Sequence, residues 1–499
     1  MTGLRAASTD IRFIAVPHSE VAFTMPQSTP SPRQPEKRSS RMIVVDDNVR
    51  CIGGHFYELS NLLMTGAKKV GYDPMLATHE TFDSAQARTT FPIVPIFQTR
   101  RLLRWSMGVD GESTVARSLT GMPSDRSPWN RVVQSFRDSC VPPSKRPSRM
   151  LETWKDNFLS LVERIKPTSN DRLLISTGDD FLMLALASAL QQAKLPSLRI
   201  DIILHFALTT DDQPDKQERL KQIGRQTRQA IKLMGPHDVH LHATTTSLAQ
   251  QWRQSNVGTP ISVIPYPTRT RPHLEKQIAA EPESNCKKPL KLVLAGLPRA
   301  EKGRESIHDF LLDVQAMHLN NHDYQVSMQM PPQKWESMIP STLHGCYRKA
   351  MNGSANSPLE VMTSDLSTDD YHRWLDTADV GLFLYEPQRY KARCSGVLLE
   401  MLGRGVPVIV PDNCWLAEQV RKAGGHRSIG FIYQDRSEIP DLMRQFKKHR
   451  PAMMERASAY AKKLQQQHDA VNTLRVMGLA SDHLAPDHLA PDHQTRNVA

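Results

Sequence analysis

The sequence predicts an α/β protein made of two doubly wound, Rossmann-like domains. Three observations carry that expectation. Short apolar, β-branched runs alternate with segments of helical period along most of the chain, which is the pattern of parallel sheets covered on both faces. The alternation falls into two series, split by a polar, Pro- and charge-rich stretch at 268–289. The length, 499 residues, suits two or three domains.

The elements follow in order. Residues 1–40 ("MPQSTPSPRQPEKRSSR") are rich in Ser, Pro, Thr and Arg and read as a disordered tail. The first domain spans 41–267. It opens with the buried strand "MIVVDD" (42–47), a loop "NVRCIGGH", and a helix from Phe56 that Gly71 stops. "RLLIS" (172–176), "LRIDIILHF" (198–206), "DVHLHAT" (238–244) and "ISVIPYP" (261–267) supply further strands. The stretch 88–170 fits this scheme worst. It reads as a basic insertion of helices and loops, because it is long and broken by proline. The second domain spans 290–465, with strands at "LKLVLAG" (290–296), "YQVSMQM" (324–330), "LEVMTS" (359–364), "DVGLFLY" (379–385) and "VPVIVP" (406–411). Residues 466–499 read as a helix end and a low-complexity tail that repeats "HLAPDH". Open α/β sheets bind ligands beyond the carboxyl ends of their strands, so two such domains place the site in the cleft between them.

Composition narrows the function. Six scattered cysteines with no C-x-x-C pair predict reduced thiols in a cytoplasmic protein, without a disulfide framework or a zinc site. No run approaches the ~18 apolar residues of a membrane span, and "MTGLRAASTDIRF" lacks the apolar core of a secretory signal. The formal net charge is +11, and 88–149 holds eleven Lys and Arg against four Asp and Glu. Such a segment suits an anionic membrane face, a phosphorylated ligand, or simply a solvated surface. No finger spacing, RNP-like motif or basic zipper points to nucleic acid.

Four stretches carry candidate chemistry. In "YKARCSGVLLEMLGRGVPVIVP" (390–411), Ser395 stands as N-cap of a helix over 396–404 and Gly405 follows its end. Gly396 leaves room for an anion, Lys391 and Arg393 add charge, and Glu400 stands where it can accept hydrogen bonds from ribose hydroxyls. Taken alone, the stretch reads more simply as a capped helix with an exposed Glu. In "AGLPRAEKGRESI" (295–307), Arg299 and Lys302 lie between a strand and a helix, where they suit a departing diphosphate or a solvated turn. Gly53 and Gly54 let backbone approach a ligand, or merely make a turn. His205 ends an apolar strand and faces the expected cleft.

Taken in order, these pieces resemble the family 4 glycosyltransferases of the GT-B fold. The block "YHRWLDTADVGLFLYEPQRYKARCSGVLLEMLGRGVPVIVPDNCW" is similar to the family's donor site, "LAGLPRAEKG" to the loop before it, and "IGGHFYELSNLLMTGAKKVGYDP" to its N-terminal Gly-Gly loop and helix. "HATTTSLAQQWRQSNVGTPISVIPYPTR" is similar to the end of its acceptor domain. The resemblance covers most of 42–465. It implies a retaining, metal-independent transfer from a nucleotide diphosphate sugar to a glycan or lipid-linked hydroxyl, with no separate cofactor. Arg299 and Lys302 would hold the diphosphate, with Arg393, Ser395 and Gly396 beside it. Glu400 would bind the ribose, Gly53 and Gly54 would approach from the opposite domain, and His205 would touch the sugar. Two positions depart from the pattern: Ala392 stands where the family often has a first Glu, and Leu297 where it commonly has Arg. A sugar-nucleotide epimerase, a non-catalytic nucleotide-sugar binder and a polyanion-binding protein remain as other readings.

Overall fold

The computed structural model describes residues 40–52, 55–85, 87, 91–99, 146–269, 289–330, 335–354, 357–362 and 366–480. Gly53, Gly54, both tails, most of the linker and the middle of the basic stretch lie outside the described residues.

Seven strands form the first sheet: β1 (Arg41–Asp46), β2 (Asp73–His79), β3 (Ile93–Phe97), β4 (Arg172–Gly178), β5 (Arg199–Leu204), β6 (Asp238–Ala243) and β7 (Ile261–Val263). Their order is β3-β2-β1-β4-β5-β6-β7 and every neighbouring pair is parallel. Helices α1 (His55–Lys69), α2 (Arg146–Ile165), α3 (Asp180–Gln192), α4 (Lys216–Leu233) and α5 (Thr246–Gln254) accompany it. β1 is buried on both faces (Met42, Ile43, Val44, Val45), as its unbroken apolar run requires. The strand order reverses between β1 and β4, which opens a crevice at their carboxyl ends.

The second sheet holds β8 (Leu290–Leu294), β9 (Tyr324–Gln329), β10 (Leu359–Met362), β11 (Val380–Leu382), β12 (Val408–Pro411) and β13 (Gly430–Tyr433). Its order is β10-β9-β8-β11-β12-β13, again all parallel, with the reversal between β8 and β11. Around it lie α6 (Ile307–Val314), α7 (His344–Met351), α8 (Thr368–Asp376), α9 (Gly396–Leu402) and α10 (Trp415–Lys422).

Two stretches differ from their sequence reading. The segment 88–170 is not wholly an insertion: it gives the first sheet its edge strand β3 and the helix α2, whose Trp154 packs on Phe97 with ring centroids 5.2 Å apart. Pro95 is tolerated there because an edge strand leaves one side of its backbone unpaired. At the other end, α11 (Ile439–Gln467) leads into α12 (Ala470–Val476), which packs on α1 of the first domain beside Gly66. Buried Leu474, Met477 and Leu479 hold it there. Arg199 donates to the carbonyls of Met477 and Gly478 while pairing with buried Asp201. One apolar cluster therefore runs from Met42 and Leu63 in the first domain to Leu398 and Val408 in the second.

Candidate active site

His205 directly follows β5. Its Nε2 lies 2.6 Å from the Ser176 carbonyl, which only accepts, so the ring carries its proton on Nε2. Nδ1 keeps its lone pair and is buried without a hydrogen-bond partner. Burial lowers the pKa to about 4, and Arg393 adds to the shift, so the imidazole is neutral near pH 7.

Tyr266 lies past β7, where Pro265 and Pro267 lack the N–H groups that would continue the ladder. Its hydroxyl is 3.0 Å from Nδ1 of His55, and the two rings are parallel with centroids 5.4 Å apart. The His205 ring stands edge-on to both, at 5.7 Å from Tyr266 and 6.2 Å from His55. Three rings, from the start of α1 and the exits of β5 and β7, thus form the first domain's wall.

The facing wall starts at the exit of β8. Gly296 takes φ +87°, and Arg299 precedes a 3-10 turn over Ala300–Lys302. Gly303 closes that turn in the left-handed conformation (φ +77°), against the Leu384 carbonyl beyond β11, where a side chain would collide. The turn directs the Lys302 ammonium back over Gly296 and to 5.7 Å from the Tyr385 ring centre. Burial, then the like charges of Arg299 and Arg393, lowers the Lys302 pKa to about 7, while Glu301 and Glu400 oppose the shift. Arg393 crosses between the domains: its guanidinium is 5.3 Å from the Tyr390 ring and 4.9 Å from that of Phe206, the residue after His205. Among the described residues neither Lys302 nor Arg393 has an ion-pair partner, and Arg299 reaches Glu301 only at 4.0 Å. Lys391 differs: its ammonium pairs with Asp211 of the first domain.

Ser395 caps α9, its Oγ accepting from Leu398 N at 3.2 Å. The helix ends at Leu402, a little short of the expected 404. A Cβ at Gly396 would lie 3.5 Å from Tyr266 Cε1 and 3.8 Å from His55 Nδ1, so the helix start abuts the three-ring wall. Glu400 stands one turn on, with Tyr371 hydrogen bonded to it. Burial raises its pKa, while His372 and Arg404 pull it down and Glu58 of α1 pushes it up. Arg404 orders this end: it donates to His372 Nδ1 (2.6 Å), the Glu400 carbonyl (2.8 Å) and Asp376 (2.9 Å).

His205, Arg299, Lys302, Arg393, Ser395, Gly396 and Glu400 thus gather where the two sets of strand ends meet. Sequence reasoning did not single out His55, Glu58, Phe206, Tyr266, His372 or Arg404. The signal available for His55 and Glu58 was a His and a Glu three residues apart, on one face of the first turn of α1. Two acidic pairs nearby, Asp46–Asp47 and Asp211–Asp212, are a strand end and a turn. Asp46 closes β1 and accepts from Ser176 Oγ (2.7 Å), Thr177 Oγ1 (3.0 Å) and Asn48 N (3.0 Å). Asp211 pairs with Lys216 (2.7 Å) as well as Lys391.

No family model matches the chain, and no curated protein matches it in sequence. Solved structures do. The Anabaena protein HepE in complex with UDP aligns at TM-score 0.51 and 11% identity over 88% of this chain and 99% of its own. Sucrose-phosphate synthase from Thermosynechococcus elongatus aligns at 0.53 and 11%, over 88% and 98%. A UDP-forming trehalose-phosphate synthase from Burkholderia xenovorans aligns at 0.54 and 12%, also over 88% and 98%. At such identities the likeness is one of fold. Together with the two doubly wound layers, it gives this chain the GT-B architecture.

Proposed function

We propose that the protein is a glycosyltransferase that moves a sugar, a hexose or a relative, from a nucleoside diphosphate donor to a hydroxyl acceptor. One observation carries the reading: Arg299, Lys302 and Arg393 converge, half-buried, beside a glycine helix start at the facing strand ends, with a single long ion pair, Arg299 to Glu301 at 4.0 Å, among them. Half-buried cations this close repel one another, and an anion such as a diphosphate relieves that repulsion.

In the reaction the anomeric C–O bond breaks and its electron pair goes to the departing β-phosphate oxygen. The three cations neutralise the developing charge. The acceptor oxygen bonds to the anomeric carbon and its proton leaves with the phosphate. Glu400 accepts from the ribose hydroxyls, and the free Nδ1 of His205 accepts from a hydroxyl of the transferred sugar. Ala392 is buried, with its carbonyl accepting from Thr245 Oγ1 at 3.3 Å, so no carboxylate enters from that position. The bound UDP of the HepE structure makes uridine donors the first choice. Retention of configuration, independence from metal and a glycan or lipid-linked acceptor belong to the proposal, as does action in the cytoplasm, with the basic stretch on an anionic membrane face. No helix among the described residues is long and apolar enough to cross a membrane.

A thermal-shift screen of UDP-, GDP- and ADP-sugars tests the donor class, since a ligand bound only by the native state raises its melting temperature. The reading requires a shift with at least one sugar nucleotide, reduced in Lys302→Ala and in Glu400→Ala. Equal shifts in both variants would misplace the site. Turnover that survives a chelator, product anomericity by NMR, and liposome co-sedimentation that depends on anionic lipid test the remaining parts.

A further inference from the structure

The proposed site draws its cations from the second domain, yet the first domain aims a titratable ring at the same place. His55 opens α1 at the β1 exit, and its Nδ1 is 3.0 Å from the Tyr266 hydroxyl. Tyr266 is buried, and burial raises its pKa well above the usual range, with Cys394, Glu400, Glu58 and Asp46 adding to the shift. It therefore stays a phenol, and its hydroxyl lies nearer to Nδ1 (3.0 Å) than to Nε2 (3.4 Å), so we assign it as donor to Nδ1 and the His55 proton to Nε2. The parallel Tyr266 ring fixes the imidazole plane, and Gly396 has no side chain to keep the pair from the start of α9.

The groups around His55 are mostly cationic or basic. His205 stands at the β5 exit, Arg299 and Lys302 on the β8 loop, and Arg393 before α9. The carboxylates of this region sit to one side. Asp46 is held by Ser176 and Thr177, Glu58 lies one turn along α1 towards His372 and Arg269, and Glu400 is engaged by Tyr371. His55 is exposed to solvent. Even so, the packing around it, and then the charges of His205, Arg393, Lys302 and Arg299, hold its pKa well below the usual histidine range. In the free protein it is a neutral donor facing Lys302 and Arg393, which no carboxylate pairs among the described residues, and Arg299, which reaches Glu301 only at 4.0 Å.

We propose that His55 is a donor-binding residue supplied by the first domain: its Nε2 hydrogen-bonds the diphosphate that Arg299, Lys302 and Arg393 hold from the second, and it takes up a proton as the diphosphate arrives. Tyr266 is the positioning residue that aims it. This rests on the reading of the cleft as a nucleoside diphosphate site. One anion then joins both domains, and the incoming negative charge reverses the field that kept His55 neutral. Affinity for diphosphate accordingly rises as pH falls towards the pKa of His55 in the complex.

Isothermal titration of UDP, with inorganic pyrophosphate run in parallel, tests this at pH 7 in two buffers of different ionisation enthalpy. The proteins are the parent, His55→Gln, His55→Ala, Tyr266→Phe and Lys302→Ala. The ligand's own protons cancel between proteins. His55→Gln keeps an N–H donor and should bind UDP within a few-fold of the parent while taking up fewer protons. His55→Ala should lose roughly ten- to a hundredfold in affinity for both ligands, the range of a charge-assisted hydrogen bond. Tyr266→Phe should lose less. Melting curves confirm that each variant folds. If Lys302→Ala loses binding while both His55 variants match the parent in affinity and proton count, the diphosphate site stands and the role of His55 falls. If Lys302→Ala also binds like the parent, the site itself is misread and the inference falls with it.

Discussion

Gly296 offers a perturbation whose outcome depends on where the Lys302 ammonium lies. Its φ of +87° is in the left-handed region, and a Cβ built there would be 2.5 Å from Lys302 Nζ. Reaching the ordinary contact distance of 3.4 Å moves the ammonium by about 0.9 Å. Gly296→Ala thus has two separable effects. Backbone strain lowers stability by about 1–2 kcal/mol whatever stands at 302. Displacement of the charge weakens diphosphate binding only when Lys302 is present. Lys302→Ala by itself should weaken UDP binding roughly ten- to a hundredfold, as expected for loss of a charge-assisted contact. A double-mutant cycle separates the effects. Denaturant unfolding should show the same loss from Gly296→Ala in both backgrounds. UDP titration should show a several-fold loss from Gly296→Ala when Lys302 is intact and almost none in the Lys302→Ala background. Binding losses that simply add would refute the placement of the ammonium over Gly296, and with it the physical account of the cation cluster.

Three further outcomes follow from the same geometry. Lys302 titrates at about 7 in the free protein, and a bound diphosphate raises that pKa. Below pH 7 the lysine is already charged. Above it, binding must supply the proton, so UDP affinity should fall by up to about tenfold per pH unit from this group, and Lys302→Arg, always charged, should remove that share of the slope and leave the share that His55 supplies. Glu400→Ala should weaken UDP roughly ten- to a hundredfold and leave inorganic pyrophosphate, which has no ribose, within about twofold; equal losses for both would remove Glu400 from the ribose. Arg199→Ala breaks a pair with fully buried Asp201 and frees the Met477 and Gly478 carbonyls. Asp201 keeps His242 at 2.9 Å, so the change should cost about 1–3 kcal/mol in denaturant unfolding and speed proteolysis after α11.

The sequence made the layers legible where strands are β-branched and fully buried, as in β1, β5 and β12. It hid β2, whose "DPMLATH" opens with Asp-Pro and carries weak strand formers, and β3, where Pro95 and the basic residues nearby mask a five-residue edge. It also hid α12, because "HLAPDH" repeats begin soon after its last buried residue. Within the site, Arg299, Lys302, Arg393 and Glu400 were legible only together: each stretch alone reads as a solvated turn or a capped helix, and their order along the chain, which resembles a known donor site, set them side by side. His55, Phe206 and Tyr266 were not, since each is an ordinary aromatic or histidine until the two domains face each other. Lys391 shows the opposite limit: it stands two residues from Arg393, yet it turns to Asp211 while Arg393 turns to Phe206.

The central claim is that a nucleoside diphosphate lies between the two sets of strand ends. A crystal structure of the full chain with UDP tests it most directly. The account predicts phosphate oxygens within about 3 Å of the Lys302 ammonium and of the Arg299 or Arg393 guanidinium, with the ribose hydroxyls on Glu400. UDP bound elsewhere, or turned so that its phosphates leave these cations unpaired, would contradict it.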